Sequence, residues 1–259
     1  MRILFIGDIM GSPGRKAAAV ALPPLAGTGG GFDFVIANCE NAAAGKGITK
    51  KIAEELFALG IDGMTSGNHI WDKSEGVAVL QEEKRIVRPA NYPDDCPGRG
   101  LMILEKNGMR LAVANLQGRV FMPPIDCPFR KADELLSKAG DVPLLVDFHA
   151  EATSEKKALA YYLDGRAAAV IGTHTHVQTA DEDIFPGGTA YISDAGMTGG
   201  HRSSIGMKFE GVLPKFLTGM PSRFEVSGDG LALNAVALTI DEETGKAVEI
   251  SRIIEKLTH

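Results

Sequence analysis

The stretch Ile3-Leu4-Phe5-Ile6-Gly7-Asp8 decides how the chain is read: four apolar residues without alternation, stopped by a glycine and an acid. An unbroken apolar run of this length suits a strand buried on both faces. Pro13-Gly14-Arg15 and the alanines after it suit a turn entering a helix. The pattern then repeats. Residues 32–37 are a second apolar run, and residues 49–59 carry Ile52, Leu56 and Leu59 at helical spacing behind a capping Thr49. Residues 61–65 make a third, weaker strand, and residues 73–83 a helix.

Further along, residues 101–105 and 110–115 flank Asn107-Gly108, a pair that suits a two-residue hairpin turn. Residues 142–148, 167–171 and 189–193 read as strands and 154–163 as a helix; 231–240 and 247–254 form a closing hairpin about residues 242–245. A βαβ-like first half with antiparallel pairs in the second implies layered α/β architecture, its sheets covered by helices. There is no internal repeat or long linker, and the glycine-rich run at 27–31 is short. The expected organisation is one domain over residues 1–259, with residues 116–129 an irregular loop over a cleft.

Composition excludes several classes. With 44% apolar and 23% charged residues the chain is neither disordered nor fibrous. A net charge of −6 offers no basic stripe for duplex nucleic acid and fits a small anionic substrate drawn in by metal ions. Cys39, Cys96 and Cys127 are an odd number without paired spacing, so reduced thiols in the cytoplasm are expected rather than a disulfide framework. The N-terminal apolar run is too short for a signal peptide. Residues 17–26, broken by Pro23-Pro24, fall short of the ~20 that span a bilayer, so no membrane segment is expected.

Asp8, Glu40, Asn41, Asn68, His69, His149, His174 and His176 each lie just past an apolar run, where open α/β sheets gather ligand-binding groups. Taken singly, each has an ordinary explanation as a turn residue or a hydrogen-bonded core histidine. Taken together, they hold four of the chain's six histidines. In an extended segment, His174 and His176 would project to the same side. Carboxylates, amides and imidazoles without thiolates suit Mn²⁺, Fe or Zn²⁺. Eight groups exceed one tetrahedral site; two ions about 3.5–4 Å apart sharing a carboxylate would use them for in-line displacement at phosphorus.

These segments resemble the calcineurin-like metallophosphoesterases, whose motifs run G-D, G-N-H, a lone H, and G-H-x-H; here they read Gly7-Asp8, Gly67-Asn68-His69, His149 and Gly172-Thr173-His174-Thr175-His176. Met10 stands where that superfamily usually has histidine, and Glu40 where it usually bridges its metals with aspartate. Both departures match a narrower group, the YmdB-like bacterial phosphodiesterases. So do Gly7-Asp8-Ile9-Met10-Gly11, Glu40-Asn41-Ala42-Ala43, Arg88-Pro89-Ala90-Asn91-Tyr92 and the long run Val146-Asp147-Phe148-His149-Ala150-Glu151-Ala152-Thr153-Ser154-Glu155. The resemblance implies an αββα sandwich with mixed sheets and hydrolysis of cyclic nucleotides: 2′,3′-cyclic ones to 3′-monophosphates, with 3′,5′-cyclic AMP a further substrate. It implies a first ion on Asp8, Glu40, Asn41 and His176 and a second on Glu40, Asn68, His149 and His174, bridged by Glu40. The ions would be Fe or Mn first, Zn next. The implied nucleophile is a metal-bridging hydroxide, with His69 catalytic as charge stabiliser or proton donor. The resemblance is compatible with a homo-oligomer, for which no heptad seam fixes a stoichiometry.

Other residues carry less. Asp147 and Glu151 flank His149 as second-layer or merely solvated carboxylates. The run Asp194-Ala195-Gly196-Met197-Thr198-Gly199-Gly200 is either a cleft loop or an ordinary one. Arg119, Phe121 and Phe129 offer a weak base-stacking wall, Trp71 and Asp72 are expected to begin a helix, Cys39 is a small buried residue, and His201 and His259 have no partner motif. Two alternatives compete: a phosphomonoesterase or protein phosphatase using the same ions, and a metal-dependent nucleotide-binding regulator.

Overall fold

Ile3 and Phe5 of β1 (Arg2–Ile6) face one apolar layer and Leu4 and Ile6 another, which is why this strand lacks polar alternation. A computed structural model describes residues 1–27 and 31–257; part of the glycine-rich run at 27–31 and His259 lie outside the described residues. After β1 come β2 (Asp8–Ile9), α1 (Gly11–Gly27), β3 (Phe34–Asn38), α2 (Lys50–Ala58), β4 (Gly63–Thr65), a 3-10 helix (Asn68–Asp72) and α3 (Ser74–Glu82). The chain continues through β5 (Leu101–Lys106), β6 (Met109–Gln117), α4 (Pro128–Ala139), β7 (Leu144–His149), α5 (Thr153–Tyr162) and β8 (Ala169–Thr173). It ends with β9 (Asp183–Ile184), β10 (Ala190–Ile192), β11 (Met197–Gly200), α6 (Phe209–Thr218), β12 (Leu231–Ile240) and β13 (Ala247–Lys256).

A seven-stranded sheet has the order β2-β11-β12-β1-β3-β4, with β13 also paired to β12; a six-stranded sheet has the order β5-β6-β7-β8-β10-β9. Both are mixed: β1, β3 and β4 run parallel, as do β6, β7, β8 and β10, while the interior strand β12 runs antiparallel to β1, β11 and β13, and β5 and β9 are antiparallel edges of the second sheet. Three apolar layers result. Ile3, Phe5, Phe34 and Ile36 meet Val113, Leu145 and Ile171 between the sheets. Leu4, Ile6 and Val35 pack with Ala18, Leu22 and Leu56 of α1 and α2 on one outer side. Val146 and Phe148 pack with Leu135 and Leu159 of α4 and α5 on the other. The fold is an αββα sandwich.

Thr49 caps α2, its side chain accepting from the Ile52 N–H. Besides containing neither α6 nor the short strands β2, β9 and β11, the sequence reading differs at three points. The expected loop at 116–129 is shorter, because β6 runs through Gln117 and α4 begins at Pro128. That helix was missed although Ala132, Leu135 and Ala139 bury one face and Gly140 stops it with φ 62°. Trp71 and Asp72 end a 3-10 turn rather than begin a helix, since Lys73 is extended.

Asn107 and Gly108 join β5 to β6 with φ 53° and 80°, both left-handed, as a tight hairpin requires. Gly108→Ala should therefore lower unfolding free energy by about 1 kcal/mol in urea titration, while Asn107→Gly stays within about 0.5 kcal/mol of the parent.

Candidate metal centre

The parallel strands of both sheets end at one edge, and their ends carry the site. Asp8 lies in β2 just past β1, Glu40 and Asn41 follow β3, Asn68 and His69 open the 3-10 helix after β4, His149 closes β7, and His174 and His176 follow β8. Beneath them the sheets are tied by hydrogen bonds between buried side chains. The Asn38 amide donates to Asp147 Oδ2 at 2.9 Å, and Ser66 Oγ lies 3.4 Å from Asn115 Oδ1.

Two knots of donor atoms form above this belt. His149 Nε2 lies 3.1 Å from Glu40 Oε1, 3.2 Å from Asn68 Oδ1 and 3.1 Å from His174 Nδ1. Asn41 Nδ2 lies 3.0 Å from the same Glu40 oxygen, 3.1 Å from His176 Nε2 and 3.4 Å from Asp8 Oδ1. The structure thus brings together all seven side chains expected as ligands, in the two groups expected, with Glu40 in both. His69 stands at the rim: its backbone N–H donates to Glu40 Oε2 at 3.0 Å, and its Nδ1 is 3.0 Å from Asp72 Oδ2.

The two terminal histidines do not reach the site by strand alternation. His174 and His176 have φ 101° and 66°, so the loop turns through left-handed backbone to aim both rings at the cluster. Such geometry costs of order 1–3 kcal/mol per residue and persists only where surroundings hold it. Asp194 holds it: its Oδ2 accepts from the Thr175 N–H at 3.0 Å, the Thr175 hydroxyl at 2.8 Å and Lys156 Nζ at 2.8 Å. Lys156 also donates to the Thr173 carbonyl at 2.8 Å. The run from Asp194 onward is therefore an anchor of the site, not an ordinary loop.

Each histidine is oriented through its outer nitrogen. Thr173 donates its hydroxyl to Asp147 Oδ1 at 2.7 Å, which leaves Thr173 Oγ1 to accept from His149 Nδ1 at 2.9 Å. Once Nε2 gives up its proton, His149 aims a lone pair into the cluster. His176 Nδ1 donates to the Ile205 carbonyl at 2.9 Å, and His174 Nε2 meets Glu151 Oε2 at 3.2 Å. Asp147 and Glu151 thus both act on the histidines; an aspartate buried in the apolar run Leu144-Leu145-Val146-Asp147-Phe148 was the signal for the first.

Burial opposes charge throughout, and the protonation pattern shows which groups overcome it. Burial lifts Asp8, and lifts the Asp147 carboxyl to about 7. Burial opposes the Glu40 charge too, but the His149 imidazole beside it and the His69 N–H hold its carboxyl down at about 2. Burial likewise disfavours the His149 cation, yet the carboxylates of Glu40, Asp8 and Asp147 raise it to about 9; His174, buried and facing that cation, falls to about 3. A proton on His149 is thus favoured by the three carboxylates around it. Burial lifts the Cys39 thiol well above its ordinary value, which makes it an inert neighbour.

The donor set fits metal ions. Carboxylates, imidazole nitrogens and amide groups converge with no thiolate, and a half-turn of the Asn41 amide would present its oxygen. A Cβ on Gly67 would collide with both Glu40 Oε2 and the His149 ring, so glycine is required where backbone passes under the cluster.

A model of the family described as YmdB-like protein matches residues 4–253. A Bacillus subtilis protein named 2′,3′-cyclic-nucleotide 2′-phosphodiesterase is 52% identical over 256 residues, covering 98% of this chain and 97% of that protein. A crystal structure of a hypothetical protein from Thermus thermophilus superposes with TM-score 0.93 at 46% identity, covering 99% of each chain. The Haemophilus influenzae NAD nucleotidase shares the fold, with TM-score 0.60 at 14% identity over 99% of this chain and 56% of that one.

The Asn38 amide fixes which way an amide at position 147 would face: oxygen toward Asn38, NH₂ toward Thr173. In Asp147→Asn the Thr173 hydroxyl would then turn to donate to His149 Nδ1, moving the imidazole proton to Nε2. Metal affinity should fall roughly 10- to 100-fold by titration of the metal-free protein, with the circular dichroism spectrum of the parent retained.

Proposed function

We propose, from the premise that this chain belongs to the YmdB-like protein family, that it is a metal-dependent phosphodiesterase opening 2′,3′-cyclic nucleotides to 3′-monophosphates. One observation carries the reading: Glu40 Oε1 stands 3.1 Å from His149 Nε2 and 3.0 Å from Asn41 Nδ2, at the seam of two donor sets. Asp8, Glu40, Asn41 and His176 would hold one ion and Glu40, Asn68, His149 and His174 a second. Oxygen and nitrogen donors suit Fe or Mn first and Zn next. When bound, such ions lower the pKa of water and draw charge from the phosphate.

His69 is the catalytic residue of this proposal. Asp72 accepts from its Nδ1 and is paired with Lys46 at 3.4 Å, so Nε2 is the nitrogen left to face substrate. Water oxygen bonds to phosphorus opposite O2′, the P–O2′ bond breaks, and O2′ takes a proton from His69 Nε2. The water proton leaves to solvent, and the product keeps its phosphate on O3′. Asp72, at 3.0 Å from Nδ1, holds the ring in position for the transfer to O2′. Three unpaired thiols suit the cytoplasm, and no helix among the described residues is long and apolar enough to cross a membrane.

Substitution separates the roles. Glu40→Ala should lose both metal, by elemental analysis, and hydrolysis of 2′,3′-cyclic AMP after Mn²⁺ or Fe²⁺ reconstitution. His69→Ala should keep the metal and lose roughly 10²- to 10⁴-fold in kcat. Assay of 2′,3′-cyclic AMP beside 3′,5′-cyclic AMP and p-nitrophenyl phosphate checks the substrate class, and preference for the monoester would refute it.

A further inference from the structure

We infer that the cavity beside the cluster contains a nucleobase subsite, a wall of Ile205, Met207, Phe216 and Phe224 on which the base of a bound nucleotide stacks while its phosphate meets the cluster. The inference rests on the phosphodiesterase reading above and names how that site holds its substrate.

The cavity has a volume of 590 Å³, within the roughly 300–1,000 Å³ of small-molecule sites. It has two chemically distinct sides. Glu40, Asn41, His69, His174 and His176 make one; the aromatic and aliphatic wall, built from α6 and the turns on either side of it, makes the other. A mononucleotide divides in the same way, with an anionic end and a flat apolar end joined by a sugar. Lys46 and Lys215 also line the space, and Lys215 Nζ lies 5.2 Å from the Phe224 ring centroid, so cationic charge accompanies the aromatic face.

Ile205 ties the two sides together. Ser204 and Met207 exchange backbone hydrogen bonds of 2.8 and 2.9 Å, closing a two-residue turn in which Ile205 has φ 45° and Gly206 φ 97°. Asn-Gly favours such a turn, and a β-branched residue in this backbone is an outlier. The turn sets the Ile205 carbonyl 2.9 Å from His176 Nδ1, while the isoleucine side chain lines the cavity. A strained residue that orients a cluster histidine through its backbone and supplies the wall with its side chain holds the two sides in register.

Phe216 is 81% exposed, on a helix that buries only Val212. A base stacked on it would cover part of that surface. The wall contains no amide or carboxylate that reads base edges, so it recognises π-faces and tolerates different bases. The rings of the earlier candidate wall do not take part: Phe121 is 89% exposed and Phe129 packs edge-on to Tyr162, and neither lines this cavity.

The test compares 2′,3′-cyclic AMP with methyl ribofuranoside 2,3-cyclic phosphate, which keeps the cyclic ester and lacks the base. In Phe216→Ala/Phe224→Ala, the preference in kcat/KM for the nucleotide should fall at least tenfold, mainly through KM, and calorimetry should show 3′-AMP binding weakened by a similar factor. Ile205→Asn, which suits the left-handed turn, should lose the preference likewise without lowering Tm. An unchanged preference with unchanged 3′-AMP affinity overturns the subsite. So does a change in sedimentation alone, which would make this face a contact between copies of the chain. If the parent protein turns over neither ester, the phosphodiesterase reading fails, and 3′-AMP binding still decides whether the wall holds a base.

Discussion

The carboxylate of Asp147, buried between the two sheets, is the constraint on which the site depends. It accepts from Asn38 across the sheet interface and from Thr173 on the neighbouring strand, so one charge joins β3, β7 and β8 at the edge where the site lies. An isolated buried carboxylate is costly, and here burial lifts its pKa to about 7 in spite of these donors. Its return is orientation. With Thr173 committed to Asp147, His149 has one nitrogen for the threonine and one for the cluster. The sandwich and the tautomer of a cluster histidine are set by the same group.

Above that belt the polypeptide concentrates acceptors that repel one another, and rigid supports keep them in place. Lys156 and Asp194, side chains 2% and 1% exposed, pin a loop whose two histidines have left-handed backbone. Breaking such a buried pair by removing one partner costs about 3–5 kcal/mol, more than enough to release the loop. Preorganisation of this kind means that binding ions need not reorganise the chain, so little of the metal's binding free energy is lost to ordering.

Much of this was legible in the sequence because the fold and the site share one signal: an apolar run that stops at a polar residue. Strand ends at Asp8, Glu40, Asn68, His149 and His174 marked both the sheet edge and the cluster. What could not be read was anything carried by tertiary placement. Asp194 follows a strand and stood out as the start of a candidate cleft loop, but its pairing with Lys156, 38 residues away, is carried by no local pattern. The approach of Ile205 to His176 depends on a turn whose residues have the wrong propensity for it. The aromatic wall was placed at Arg119, Phe121 and Phe129, in the loop expected over the cleft; the rings that line the cavity come instead from Phe216 in α6 and Phe224 just past it.

That division has a chemical logic. Groups that must meet a transferring phosphoryl within tenths of an ångström sit on strand ends and short turns braced by buried hydrogen bonds, where displacement is small. The wall sits on α6 and the turns on either side of it, and α6 leaves Phe216 and Leu217 open to solvent and buries only Val212. Stacking tolerates small displacements because its energy varies slowly as two flat faces slide. Binding energy gathered there acts on a part of the substrate that does not react. It raises kcat only if the base, once stacked, holds the cyclic phosphate in the geometry the cluster requires, and otherwise lowers KM alone. The contact between the Ile205 carbonyl and His176 makes the first case physically available, since displacement of the wall also displaces the acceptor that orients a cluster histidine.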